Sequence, residues 1–210
     1  MRFLLRWSGL KGSAIERPVV VSAFVTGLVV ASPAWAHPHV FIDNTVTFVF
    51  AGDKMTGFRE NWVFDDVFSD QLLQQFDTDH DGKFNAAESK QVGATVLPNV
   101  KQFHYFTYVW MDKKELAPIP PTDFKAMAEK GIVTFDFLVA LPKPLDPRTQ
   151  SIAVEVYDHE FFVEVDLHKT MPVRFDGLQG TACQPKIRDD TARAYFGGFV
   201  NPQEITLSCK

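Results

Sequence analysis

The chain has 210 residues, of which 46% are hydrophobic and 22% charged, and a formal net charge of −5. An acidic chain with no Lys/Arg cluster is unsuited to nucleic acid or anionic lipid and better suited to cations. Two cysteines, Cys183 and Cys209, are too few for a small disulfide-built scaffold.

In chain order, Arg2, Arg6, Lys11 and Arg17 form a basic start relieved only by Glu16, and the apolar run VVVSAFVTGLVVA follows. Ala34-Trp35-Ala36 then offers the small residues a signal peptidase accepts, so residues 1–36 read as a secretory signal peptide cut after Ala36. The alternative is an uncleaved anchor, but the run is shorter than the ~20 residues that span a bilayer. Removing 36 residues of charge +3 leaves 174 residues of charge −8, enough for one domain with its own core and no further membrane insertion.

Residues 39–50, HVFIDNTVTFVF, alternate and are rich in β-branched and aromatic types; after the AGDKM turn, TGFRENWVF alternates again. This pattern predicts a β-hairpin. Phe68, Leu72, Leu73 and Phe76 then fall at helical spacing behind Asp65 or Asp66 as cap, and a second helix is expected from about Asn85 to Val96.

Strands are expected at FHYFTYVWM (103–111), DFKAMA and GIVTFDFLVAL, SIAVEVY and FFVEVDL on either side of the short turn Asp158-His159-Glu160, MPVRF and EITLSC, with a short helix at DDTARAYF. Seven to nine such strands suggest a mostly β fold, an antiparallel β-sandwich, with an EF-hand-like helical insertion at about 65–97. The reading is one domain over 37–210. In an oxidising compartment Cys183 and Cys209 would close a disulfide; a metal-thiolate pair is the alternative.

Residues 77–88, DTDHDGKFNAAE, match the EF-hand calcium loop position by position. Asp77, Asp79 and Asp81 take places 1, 3 and 5, and Gly82 takes the sharp turn at place 6. Lys83 offers its carbonyl at place 7, Asn85 a water at place 9, and Glu88 two oxygens at place 12. His80 at place 4 is not a ligand in this template. A hard cation needing six to eight oxygens explains the spacing, so Ca2+ is the expected ion; a solvated acidic turn is the bland alternative. Extracellular calcium modules bind with Kd of about 10⁻⁴–10⁻³ M, so a permanently held structural ion is expected, not a sensor.

Cleavage after Ala36 makes His37 the first residue, with His39 third. An amino group and its own imidazole can chelate a metal together, and imidazole suits Zn2+, Ni2+, Co2+ and Cu2+ alike. Pro38 has no N–H to lose, which rules out the square-planar form that uses backbone amide nitrogens. Asp43, Asp65, Asp66, His104, Asp158 and His159 are candidates to complete the site; the alternative is a solvated end leading into the first strand.

Taken together, AHPHVFID, NWVFDDVFS, DTDHDGKFNAAE, FHYFTYVWMD and VYDHEFF resemble a family of exported bacterial proteins of unassigned function. Such proteins are labelled the periplasmic component of an ABC-type transport system and are encoded beside nickel/cobalt-type metal transporters. The resemblance covers Ala36 to about Val165 and implies a periplasmic location. It also implies functional positions at His37, His39, Asp65 and Asp158, with His159 standing where the family has Pro. The expectation is a non-enzymatic metal-binding protein serving an inner-membrane metal transporter. A calcium-stabilised adaptor for a membrane partner is the alternative, and a copper redox enzyme a more distant one. No GxSxG, HExxH or phosphate-binding glycine loop occurs.

Overall fold

In a computed structural model of the chain, residues 38–180 and 182–210 are described. The signal-peptide reading and His37 lie outside them. The expected hairpin forms from β1 (Val40–Gly52) and β2 (Lys54–Phe64), with Phe48 opposite Phe58. Strict alternation buries Val40, Ile42, Val46, Phe48 and Phe50 on one face of β1. Helices α1 (Asp66–Phe76) and α2 (Ala86–Val100) follow; α2 runs past the expected end and carries Pro98 in its last turn.

Nine more strands complete the fold: β3 (Thr107–Met111), β4 (Lys114–Glu115), β5 (Thr122–Glu129), β6 (Ile132–Leu145), β7 (Ile152–Val156), β8 (Val163–Leu167), β9 (Val173–Leu178), β10 (Cys183–Asp189) and β11 (Gln203–Cys209). One sheet has the order β5-β6-β2-β1-β8, with β9 also on β1; the other runs β10-β11-β7-β3-β4. The protein is therefore mostly β with two sheets, but the first is mixed. Both β8 and β9 pair with β1 in parallel, where the sequence suggested antiparallel pairing throughout.

A single apolar cluster draws on both sheets, with Phe48, Phe58, Trp62, Phe135 and Phe137 from one and Val109, Ile152, Val154 and Ile205 from the other. Each large side chain buried this way contributes about 1.5–3 kcal/mol. The helices lie against β5 and β6. Ser69 Oγ accepts from Val133 N at 3.0 Å, and Ser89 Oγ accepts from Ala126 N at 2.8 Å. A Cβ on Gly93 would come within 2.7 Å of the Phe124 ring, so only glycine lets α2 approach β5 this closely.

Three other local expectations are corrected. Residues Lys101–Phe106 form a 3-10 turn, and the strand starts only at Thr107, because His104, Tyr105 and Phe106 all take left-handed φ of 55–57°. The DDTARAYF helix is instead a pair of 3-10 turns, Thr191–Arg193 and Phe196–Gly198. The strands around Asp158 form no hairpin: β7 lies in the second sheet and β8 in the first. Cys183 and Cys209 face each other across β10 and β11 and form a disulfide. Among the described residues, no helix is long and apolar enough to cross a membrane.

Candidate metal centre

Between α1 and α2, residues 77–85 fold back on themselves. Asp77 Oδ2 accepts from Gly82 N at 2.9 Å and Asp81 Oδ1 from Lys83 N at 2.8 Å. Asp77 Oδ1 accepts from Asp81 N at 3.3 Å. Gly82 has φ of 76°, which the tight turn requires and a Cβ would resist. The result brings one oxygen each from Asp77, Asp79 and Asp81 within 4.8 Å of one another. Such crowded carboxylates repel unless a cation lies among them.

Glu88 stands apart from that cluster. Its Oε1 accepts from Thr78 N at 2.8 Å and Thr78 Oγ1 at 2.6 Å, while Oε2 accepts from Asn85 N at 3.0 Å. The Thr78 hydroxyl is the main reason its carboxyl is held below the usual range. Asn85 Oδ1 accepts from Ala87 N and Glu88 N, making a capping box at the start of α2. The three aspartates thus fit a calcium ion, whereas ligation by Glu88 needs its bonds to Thr78 exchanged for the ion. Lys83 lies on the loop beside Asp81, its N–H already committed.

Several of the second set of candidates lie around the start of β1, but among the described residues no three of them bring ligand atoms within 4.8 Å of one another. His39 N donates to Phe162 O at 2.8 Å, and its exposed ring meets that of Phe162 at 4.8 Å between centroids. Phe162 N in turn donates to Asp158 Oδ2 at 3.0 Å. Asp158 also accepts from Val163 N and Glu160 N, so a residue only 3% exposed holds three backbone N–H groups. His159, next in sequence, is exposed, with its ring 6.4 Å from that of Tyr195.

Asp65 caps α1 through Phe68 N at 2.8 Å, and its other oxygen accepts from Phe41 N at 2.8 Å. It lines an open groove of about 350 Å³ with Asp43, Asp166 and Lys169. Asp65 and Asp158 thus fix the backbone on either side of His39. The imidazoles of His39 and His159 are the groups left toward solvent. His104 lies elsewhere, stacked 5.0 Å from Tyr108.

Two buried carboxylate sites escaped the sequence reading. Glu60 is fully buried between Trp62 Nε1 at 2.7 Å and Thr107 Oγ1 at 2.8 Å. Glu155, Asp190 and Glu204 gather round Arg193 Nη1. Burial pushes Glu155 up to about 7, with Arg193 pulling the other way. For Glu60 the available signal was its place in TGFRENWVF, in phase with Phe58, Trp62 and Phe64; Glu155 and Glu204 are out of phase with the apolar Val154, Val156 and Ile205 and carried none.

Residues 22–195 match the family described as "Protein of unknown function (DUF1007)". The chain belongs to this family. A Spirochaeta aurantia protein described as "Uncharacterized 15.5 kDa protein in trpE 3'region" is 31% identical over 131 residues, 62% of this chain and 93% of that protein. An "Uncharacterized protein" of Haemophilus influenzae is 26% identical over 190 residues, covering 87% of this chain and 89% of its own length. The family match reaches from before β1 to Tyr195, so both candidate centres lie inside it.

Proposed function

We propose that the chain is an exported, periplasmic metal-binding protein that serves a metal-ion transport system and is not an enzyme. The supporting observation is the convergence of Asp77, Asp79 and Asp81 within 4.8 Å between two helices, the carboxylates of places 1, 3 and 5 of an EF-hand calcium loop. Calcium here rigidifies the α1–loop–α2 unit. The loop has no second EF-hand motif in the sequence, which fits a structural ion better than a sensor.

Transition-metal handling is assigned to the mature N-terminus. His37 would supply its amino group and ring, His39 a third nitrogen and His159 a further imidazole. Asp65 and Asp158 hold this end of β1 in place through backbone N–H groups. Phe41 and Phe162, 49% and 53% exposed, flank His39 and suit contact with an inner-membrane transporter that takes or gives zinc, nickel, cobalt or copper. The same exposed rings also favour the second reading, a calcium-stabilised adaptor that docks there without passing a metal.

Titrating zinc, nickel and copper into the mature protein and two variants tests the terminal site. His39→Ala removes a donor. One Ala inserted before His37, with cleavage retained before it, keeps both rings but turns the amino donor into an amide. Each change is expected to weaken binding about tenfold or more, 1.4 kcal/mol per factor of ten. Equal affinities in all three proteins, with each N-terminus confirmed by mass, would reject the terminal chelate and leave the adaptor reading.

A further inference from the structure

On the second sheet, Arg193, Arg188 and Lys113 line a pocket of about 420 Å³ together with Trp110, Ile152 and Thr206. The charges on this sheet are arranged in two layers. Glu155, Asp190 and Glu204 form the lower layer, with side chains 0%, 3% and 6% exposed, whereas Arg193 and Arg188 above them are 33% and 62% exposed. The acids are buried beneath the cations, so the charged side chains of this pocket that meet solvent are those of Arg188, Arg193 and Lys113.

The two guanidinium groups are held by one carboxylate. Glu204 Oε2 accepts from Arg188 Nε at 2.7 Å, and its Oε1 accepts from Arg193 Nη1 at 3.4 Å. Arg193 Nη1 is further committed to Glu155 at 2.7 Å and to Asp190. Its guanidinium carbon rests 3.9 Å from the centre of the Trp110 ring. Both arginines are therefore fixed before any ligand arrives, and the ordering cost that weakens most surface arginine sites has largely been met.

Their remaining donors are uncommitted. Nε and Nη2 of Arg193, and Nη1 and Nη2 of Arg188, make no hydrogen bond to any described residue. Lys113 forms no ion pair among the described residues. Arg188 and Arg193 share Glu204 and bring their uncommitted donors to one pocket. We propose that this pocket binds a small oxyanion, a carboxylate or phosphate group, held between Arg188 and Arg193 with Lys113 at the rim. Planar guanidinium donors match either oxyanion in paired hydrogen bonds. Burial raises Glu155 to about 7, so near neutrality the lower layer carries less than its full negative charge and attraction for an anion grows.

Calorimetric titration of the chelator-stripped mature protein with succinate and with inorganic phosphate, at constant ionic strength, tests this site. Saturable binding of either is expected, and which one binds tells carboxylate from phosphate. Arg188→Gln and Lys113→Gln change exposed side chains and leave Arg193 over its acids, so both proteins should fold. Each is expected to weaken binding about tenfold, while Lys125→Gln on the other sheet leaves it unchanged. Unsaturable heats with both anions, or unaltered affinity in the two pocket variants, would overturn the proposal.

Discussion

Glu60 illustrates how a single buried acid ties the fold to pH. Burial pushes its carboxyl up to about 7, although hydrogen bonds from Thr107 and Trp62 pull it down. An unfolded chain holds the same group near roughly 4.3. Between those values the folded protein keeps a proton that the unfolded chain has released, so stability falls as pH rises and levels off above about 7. The fall is on the order of 3–4 kcal/mol. Glu60→Gln should remove this part of the pH dependence: its oxygen can accept from Trp62, and its amide can donate to the Thr107 hydroxyl, which itself donates to Tyr105 O. Urea melts between about pH 5 and 8 check it, and parallel profiles for the two proteins would contradict it. Asp158 is the second residue-scale case. Three backbone N–H groups rest on its carboxylate, so Asp158→Asn should cost about 2–4 kcal/mol in metal-free protein. A variant as stable as the parent but weaker in zinc binding would assign Asp158 to the metal instead.

The α1–loop–α2 unit should melt as a calcium-dependent element. Calcium at about a hundred times its dissociation constant adds about 2.7 kcal/mol, so a chelator should lower the melting temperature. Glu88→Gln should abolish most of that shift, and it should also lower the melting temperature of the calcium-free protein through its lost bonds to Thr78 and Asn85. If both proteins melt alike with and without calcium, the loop is an empty turn. The β10–β11 ribbon makes a separate prediction: reducing Cys183–Cys209 should cost about 2–4 kcal/mol, read as a shifted urea midpoint.

These elements were legible in the sequence to different degrees, for physical reasons. The β1–β2 hairpin and α1 showed themselves because one face of each is buried, which imposes a period on the apolar residues. In β10, six of its seven residues are exposed, so CQPKIRD carries no period to find. The FHYFTYVWM expectation began too early because left-handed backbone at His104–Phe106 is a tertiary outcome with no glycine to announce it. The cluster of Asp77, Asp79 and Asp81 was readable since its carboxylates are contiguous in the sequence. Arg193 with Glu155 and Glu204 was not, since those three come from separate segments that sheet pairing brings together.

At the scale of the whole molecule, β1 is the strand on which the first sheet depends. It pairs with β2 along one edge, and along the other with β8 over Val40–Asn44 and β9 from Val46 onward. The partners on that second edge lie more than a hundred residues downstream. Contacts of such separation slow folding to the millisecond-to-second range typical of β-rich domains, and stopped-flow refolding of the mature chain should show this. Refolding within microseconds would contradict it.

That arrangement also bears on passage across a membrane. If the chain leaves the cell interior N-terminus first, β1 emerges early and must wait, half paired, until Leu178 has followed. Until then an alternating strand of 13 residues presents a bare edge, the kind that recruits strands from other molecules. Export by threading suits such a topology, because the unfinished chain is kept extended and apart from its copies. A holding chaperone on the far side would find its binding site in the segment just behind His39.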